Sequence, residues 1–180
     1  MATAASLEAR LKASYASLPG PTRQVPRYLQ VLQWTYFAEQ YLAAAEHLST
    51  LTVPLLDPWF QLVGHALECS LKAYLAAVGT KFGKEHDLVR LTDLARNSGL
   101  NIHEHDIAML LHVNHAYSRD LRSGSRFKSR YPTEEMEHRG GSVPSQERLA
   151  SIVSHTCSQA SNENELRNAP RLNTKAAAPK

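Results

Sequence analysis

The chain has 180 residues, 43% of them hydrophobic, and a formal net charge of +3. This composition can bury a core, which excludes a protein that is disordered throughout, and the mild charge does not by itself argue for an acidic partner. Two cysteines, Cys69 and Cys157, exclude a disulfide framework. Because no leader-like segment and no run of about 18 apolar residues occurs, we expect a cytoplasmic protein without a membrane segment.

The first half of the chain contains three helical patterns. Residues 5–17 predict a short amphipathic helix, and residues 28–48 predict a longer one. The apolar face of the second is predicted to contain Leu32, Tyr36, Leu42 and Ala45. A third helix is predicted over 58–78, with Asp57 as N-cap, Pro58 in the first turn and Gly79 just past the end.

The second half contains shorter helical patterns. Residues 87–97 predict a helix with Leu88, Leu91 and Leu94 inward and Gly99 beyond its end, and residues 106–122 predict another. The apolar residues of the latter are Ile107, Leu110, Leu111 and Val113. Residues 123–144 have the composition of a loop, and spacing typical of a helix returns over 145–158.

These patterns predict an all-α protein, an up-and-down bundle of about four to six helices, because no stretch alternates in the manner of a strand. Residues 1–21 are expected to hold the short helix and a linker, 22–158 the bundle, and 159–180 a disordered tail with few large apolar side chains.

Several short motifs resemble one known family. They are HALECSLKAYL at 65–75 with Gly79, HDL at 86–88 with Leu91, Ala95 and Gly99, and RYP at 130–132. In this order, over about residues 30–155, they resemble the HEPN domain, the higher eukaryote and prokaryote nucleotide-binding domain. The resemblance implies a helical bundle, usually a homodimer, in toxin–antitoxin, antiviral-defence or RNA-processing systems. Some such proteins are metal-independent endoribonucleases; others bind RNA, nucleotides or a partner such as a small nucleotidyltransferase.

Catalytic members of that family carry an Arg and a His with four to six residues between them, often with a polar residue directly after the Arg. Two pairs have this spacing, Arg96 with His103 and Arg148 with His155. The first crosses Gly99, where a helix should end. In the second, the resemblance implies that His155 is the acid–base group and Arg148 the phosphate clamp. Since Leu149 follows Arg148, two solvated side chains remain the alternative.

Polar residues form a narrow stripe on the predicted third helix. His65, Glu68 and Lys72 fall within about 60° of one another at about 100° per residue. The stripe could face solvent with a Glu–Lys pair at i,i+4. The resemblance instead suggests a polar groove or a dimer face. A third hypothesis is a partly buried network that also includes His86.

A basic stretch at 118–132 overlaps the end of the predicted 106–122 helix. Five cationic side chains, Arg119, Arg122, Arg126, Lys128 and Arg130, oppose one acidic residue, Asp120. Tyr117, Phe127 and Tyr131 are interleaved with them, and cations with aromatic rings are what single-stranded RNA binding needs. Alternatives are a solvated loop paired with the acidic residues at 134–137, and a protein interface.

Residues 101–115 are rich in histidine. His105, His112 and His115 would share a helical face, but a structural zinc site usually takes ligands from separated elements, so we expect surface histidines and no metal. No glycine-rich phosphate loop occurs, and we expect no cofactor.

Two functional hypotheses follow, neither requiring a cofactor. The first is an RNA- or nucleotide-associated binding module of a toxin–antitoxin or defence-type system. It would be a homodimer, with a cognate antitoxin or nucleotidyltransferase as a possible partner. The second is a metal-independent endoribonuclease that uses Arg148 and His155 at a dimer interface. A protein-binding adaptor is a third possibility.

Overall fold

The computed structural model describes residues 25–52, 55–117 and 144–168. Within these ranges the chain forms helices and no strand, which confirms the predicted all-α class. The helices are α1 (Arg27–Ser49), α2 (Leu56–Val78), α3 (Leu88–Asn97), α4 (Glu104–Tyr117) and α5 (Gln146–Asn168). The predicted 5–17 helix, the loop up to residue 143 and residues 169–180 of the predicted tail lie outside the described residues.

Helix α2 is the centre of the bundle. Helices α1 and α5 pack along it and against each other, while α3 and α4 contact other parts of its surface. Its large buried side chains include Val63, Leu67, Leu71 and Leu75. Because neighbours cover α2 on several sides, its polar residues at 68 and 72 lie inside the bundle together with its leucines.

The ends of α2 agree with the sequence prediction at one end only. Gly79 has φ 83°, a left-handed conformation that ends a helix readily when no Cβ is present. At the other end, α2 begins at Leu56, and Asp57 lies within the first turn without capping it. Pro58 fits there because the first N–H groups of a helix have no partner within the helix.

The buried face of α1 differs from the prediction. Val31, Ala38 and Ala45 are buried, whereas Leu32 and Tyr36 are 56% and 43% exposed. The prediction that these two residues face the core is therefore wrong. Large apolar residues occur around the whole circumference of α1, so their spacing did not define one direction.

Helix α3 begins where a polar side chain satisfies its first backbone groups. The Asp87 side chain accepts hydrogen bonds from the N–H groups of Val89 and Arg90, at 2.9 and 3.4 Å. Helix α4 begins at Glu104 and is described as far as Tyr117, and Leu111, one of the apolar residues of this pattern, is exposed.

Helix α5 continues past the predicted end. It extends to Asn168, and Ala160 is fully buried beyond Ser158, where the helix was expected to stop. The prediction of a disordered segment from residue 159 relied on the scarcity of large apolar residues. This last part of α5 instead contains a small buried residue, Ala160, and an i,i+4 ion pair between Glu163 and Arg167 at 3.3 Å.

Candidate functional site

A buried ion pair lies on the central helix. The Lys72 Nζ donates to Glu68 Oε1 at 2.6 Å, and the two residues are 3% and 4% exposed. The solvent-facing interpretation of the stripe is therefore wrong for these two residues. Because a buried charge is costly unless it is paired and hydrogen-bonded, the surroundings of this pair determine whether it is tolerated.

Three donors converge on the Glu68 carboxylate. Besides Lys72, the Tyr117 hydroxyl donates to Oε2 at 2.5 Å, and His86 Nδ1 lies 3.0 and 3.1 Å from the two oxygens. Burial by itself would raise the pKa of Glu68, but the hydrogen bonds from Lys72 and Tyr117 lower it below the ordinary 4.5. The carboxylate is therefore ionised near neutral pH.

The hydrogen bonds of Glu68 determine the proton positions of its neighbours. An ionised carboxylate only accepts, so the Nδ1 of His86 must carry a proton. The single proton of Tyr117 is likewise donated to Glu68, so the His65 Nδ1 must donate to the Tyr117 oxygen, at 2.8 Å. Burial and the negative charge of Glu68 raise the pKa of Tyr117, which keeps the phenol protonated.

Aromatic rings enclose the cationic end of the pair. The Lys72 Nζ lies 5.2 Å from the Trp34 ring centroid and 5.8 Å from that of Phe82, both within cation–π range. The Tyr41 ring stacks on His65 with centroids 5.0 Å apart. Three elements therefore contact the polar stripe of α2: helix α1, helix α4, and the loop that precedes α3.

The stretch before α3 attaches the network to two further elements. Asn114 of α4 accepts from the Leu88 N–H at 2.9 Å and donates to Asp87 at 3.3 Å. The Glu85 carboxylate accepts from the backbone N–H groups of His86 and Asp87, at 3.1 and 3.0 Å, and these bonds help to hold its pKa below the ordinary value against the effect of burial. His86 is thereby fixed through its ring and its backbone.

The predicted Arg148 and His155 pair lies on α5 beside the start of α4. Arg148 Nε donates to Asp106 Oδ1 at 2.6 Å, and Asp106 is buried. His155 Nε2 lies 3.1 Å from the Asn101 carbonyl oxygen. Leu149 is fully buried, which explains why this position does not carry a polar side chain directed toward the pair.

The comparisons with known proteins agree with this architecture. A family model for the HEPN domain matches residues 31–156. The chain belongs to the HEPN domain family. HEPN domains commonly form dimers and bind nucleotides. No curated protein and no solved structure matches the chain.

The sequence motifs that resemble the HEPN family build the buried network. His65, Glu68 and Lys72 come from the first motif and His86 from the second. Tyr117 was missed as a member, because it lies 49 residues from Glu68 along the chain. Gly64 is the one signal for it: a Cβ at this position would collide with the Tyr117 ring, so the glycine makes room for that ring.

Asp106 and Asn101 were also missed, and no motif in the sequence marks either residue as a partner of α5. The other Arg–His pair with the family spacing, Arg96 and His103, is not joined: Arg96 instead pairs with Glu104 at 2.8 Å, and both are exposed. Within the described parts of the chain, no group of three or more His, Cys, Asp or Glu residues could hold a metal ion. His105, His112 and His115 are exposed.

The basic residues predicted to contact nucleic acid lie outside the described residues. They are Arg119, Arg122, Arg126, Lys128 and Arg130. No helix in residues 25–52, 55–117 or 144–168 is long and apolar enough to cross a membrane.

Proposed function

We propose that this HEPN protein binds RNA or a nucleotide without cleaving it, as a homodimer in the cytoplasm, within a toxin–antitoxin or defence-type system. The observation that carries the proposal is the 2.6 Å bond between Arg148 and Asp106. It engages the arginine that a nuclease of this family would use on the phosphate.

The Arg148–Asp106 bond supports a non-catalytic role because breaking it costs free energy. Asp106 is 7% exposed, so withdrawing Arg148 toward a substrate would leave a buried carboxylate without its cation. His155 is also engaged, because its Nε2 lies within hydrogen-bond distance of the Asn101 carbonyl and the Gln159 side chain. Both side chains are thus already held by their own chain.

The RNA contacts are assigned to the basic stretch at 119–130, where five cations accompany Phe127, with Tyr131 directly after the stretch. We expect Arg122→Glu combined with Arg126→Glu to weaken retention of a single-stranded RNA oligomer. The slope of log K against log salt should fall in magnitude by about 1.4, as expected for two lost contacts. A filter-binding titration at several salt concentrations measures this.

The matched control for that variant is Arg96→Glu combined with Arg167→Glu, which changes the net charge equally at two exposed positions of the described chain. Binding that is equal in the two double variants would remove the basic stretch from the account. Absence of RNA retention by the wild type at low salt would instead favour a protein-binding adaptor.

A metal-independent endoribonuclease is the second candidate, because Arg148 and His155 both contact the segment 101–106 from α5. The test is RNA cleavage in EDTA by the wild type, His155→Ala and the control His105→Ala. We expect no cleavage by any of them. Cleavage that survives EDTA, persists in His105→Ala and is lost in His155→Ala would establish the nuclease and overturn our preference.

The homodimer proposal is supported by an exposed apolar surface on α1. Tyr28, Leu32, Tyr36 and Phe37 are each more than two-fifths exposed, and contiguous apolar side chains of this kind often mark an interface. Glu68 and Lys72 are buried, so His65 and His86 are the members of the polar stripe that a second copy could reach. Sedimentation of the purified chain tests for the dimer, and co-purification tests for an antitoxin or nucleotidyltransferase.

A further inference from the structure

His86 presents one nitrogen that the fold leaves unused. Its Nδ1 donates to Glu68, its side chain is 50% exposed, and its Nε2 has no hydrogen-bond partner among the described residues. A carboxylate behind a histidine fixes the ring orientation and the tautomer, as it does behind histidines that bind metals or move protons. The buried Glu68 is thus a positioning residue for an outward-facing nitrogen.

The loop that carries His86 is held at several points. Thr80 bonds to Ser98 at 2.9 Å, and Phe82 packs beside Lys72. Between these anchors and His86, Gly83 adopts φ 58°, and the Glu85 N–H donates to the Phe82 carbonyl at 3.3 Å. This turn fixes the backbone next to His86, so the ring is presented by a rigid segment.

The exposed charges of this loop are positive. Lys81 and Lys84 are exposed, whereas the Glu85 carboxylate is engaged with two backbone N–H groups and lies 3.4 Å from Arg90. Because Asn114 and Asp87 already accept from the first N–H groups of α3, that helix end cannot receive an anion directly. An anion would have to be bound by the side chains of the loop.

We propose that His86 Nε2, held by Glu68, binds a phosphate group, and that Lys84, exposed two residues away in the same loop, supplies a positive charge to that site. The ligand is a phosphate group of a free nucleotide or of an RNA backbone. This inference rests on the proposed function and adds a contact to it that is separate from residues 119–130. The proposed site also gives a function to the buried Glu68 carboxylate, which holds the His86 ring in place.

Phosphate binding imposes a proton requirement on His86. A phosphodiester oxygen only accepts hydrogen bonds, so the bound ring must carry a proton on Nε2 as well as on Nδ1. The free ring needs the Nδ1 proton alone, because Glu68 accepts it. The bound ring therefore donates from Nε2 as well as from Nδ1, which a structural role in the loop does not require.

Long-range ¹H–¹⁵N correlation spectra of the ¹⁵N-labelled full chain read these forms directly. The spectra are recorded in a buffer without phosphate, about one unit above the ordinary histidine pKa of ~6.5. His86→Gln identifies the His86 signals. We expect a protonated Nδ1 in the free protein and a shift of the His86 Nε2 signal after addition of inorganic phosphate, AMP or a short oligouridylate. Chloride at equal ionic strength should leave the signals unchanged.

The three probes separate the sources of phosphate. A response to AMP at concentrations where the oligouridylate has no effect identifies a free nucleotide, and the reverse identifies an RNA backbone. An Nε2–H tautomer in the free protein, or His86 signals that none of the probes shifts, would overturn the site. His105, which is exposed on α4, provides an internal reference whose signals should not respond.

Two variants test the site by affinity. His86→Gln and Lys84→Gln should each weaken binding of the responding probe about tenfold, the effect of one charge-assisted hydrogen bond, while His105→Gln should leave it unchanged. RNA retention that is lost in the 122/126 double variant but unaffected by either loop variant, with silent His86 signals, would remove this site and leave the proposed function standing. A phosphate-responsive His86 in a chain that retains no RNA and shows no response to AMP would remove the proposed function alone.

Discussion

Two regions of the molecule place a buried carboxylate 2.6 Å from a basic side chain, and they differ in everything around that bond. At Glu68, the cation Lys72 is as buried as the carboxylate, and Tyr117 and His86 also donate to it. At Asp106, the side chain of Arg148 is 42% exposed, and it is the one donor to the carboxylate among the described residues.

The two regions therefore differ in whether water can hydrate a charge whose partner has been removed. In the Glu68 network neither charge can be rehydrated without opening the contacts among α2, α4 and the loop before α3. At the Asp106–Arg148 pair, solvent already reaches the arginine, so the pair fastens α5 to α4 at a surface. We therefore expect the Glu68 network to contribute more to the free energy of unfolding than the Asp106–Arg148 pair, which attaches α5 to α4 locally.

The largest expected effect is at Lys72. Lys72→Met keeps most of the side-chain volume but leaves the Glu68 carboxylate buried without its cation. We expect a loss of about 3–5 kcal/mol in the free energy of unfolding, measured by urea denaturation. Arg167→Met, at the exposed i,i+4 pair with Glu163, should change it by less than about 0.5 kcal/mol.

A second variant separates the charge from the packing around Lys72. Glu68→Gln combined with Lys72→Met removes both charges and keeps an acceptor oxygen for Tyr117 and His86. This double variant should be more stable than Lys72→Met alone, because no uncompensated charge remains. If the two were equally unstable, the loss would come from packing, and the contrast between the two regions would not be electrostatic.

Sequence spacing located the helices well but not their faces. The bounds of α3 and the glycine end of α2 follow from local signals, since a capping Asp at 87 and a glycine at 79 act within a few residues. Which side of α1 is buried depends instead on where α2 and α5 pack, so Leu32 and Tyr36 were assigned to the wrong face.

The candidate site was partly predictable for the same reason. His65, Glu68 and Lys72 share a helix face, which periodicity shows, and His86 was a possible fourth member. Tyr117 and Asp106 enter through packing between helices distant in sequence, and nothing in their local sequence indicates a partner. Their assignment needs the three-dimensional arrangement of α4 against α2 and α5.

An intermediate effect is expected at the second region. Arg148→Ala leaves Asp106 buried without its cation, although water can enter where the arginine was. We expect a loss of about 1–2 kcal/mol in urea denaturation, less than at Lys72. Arg96→Ala is the matched control, because Arg96 is 41% exposed like Arg148 but its partner Glu104 is 81% exposed; its loss should stay below about 0.5 kcal/mol. Equal losses would mean that burial of the carboxylate does not matter.

The smallest expected effect is a pH dependence of the free energy of unfolding that comes from the Glu68 carboxylate. The pKa of Glu68 is below 4.5 in the folded chain and returns to its ordinary value on unfolding. Between these values the unfolded state binds more protons, so the stability that Glu68 contributes is complete above about pH 4.5 and is lost as the pH falls through the folded pKa.

Urea titrations of the wild type and Glu68→Gln should therefore give a difference in the free energy of unfolding that is constant above this pH and narrows below it. The other carboxylates are common to both proteins and cancel in that difference. A difference that persisted unchanged into acid would mean that Glu68 is held by hydrogen bonds that do not depend on its charge, and the network would then stabilise the fold in the same way as a neutral one.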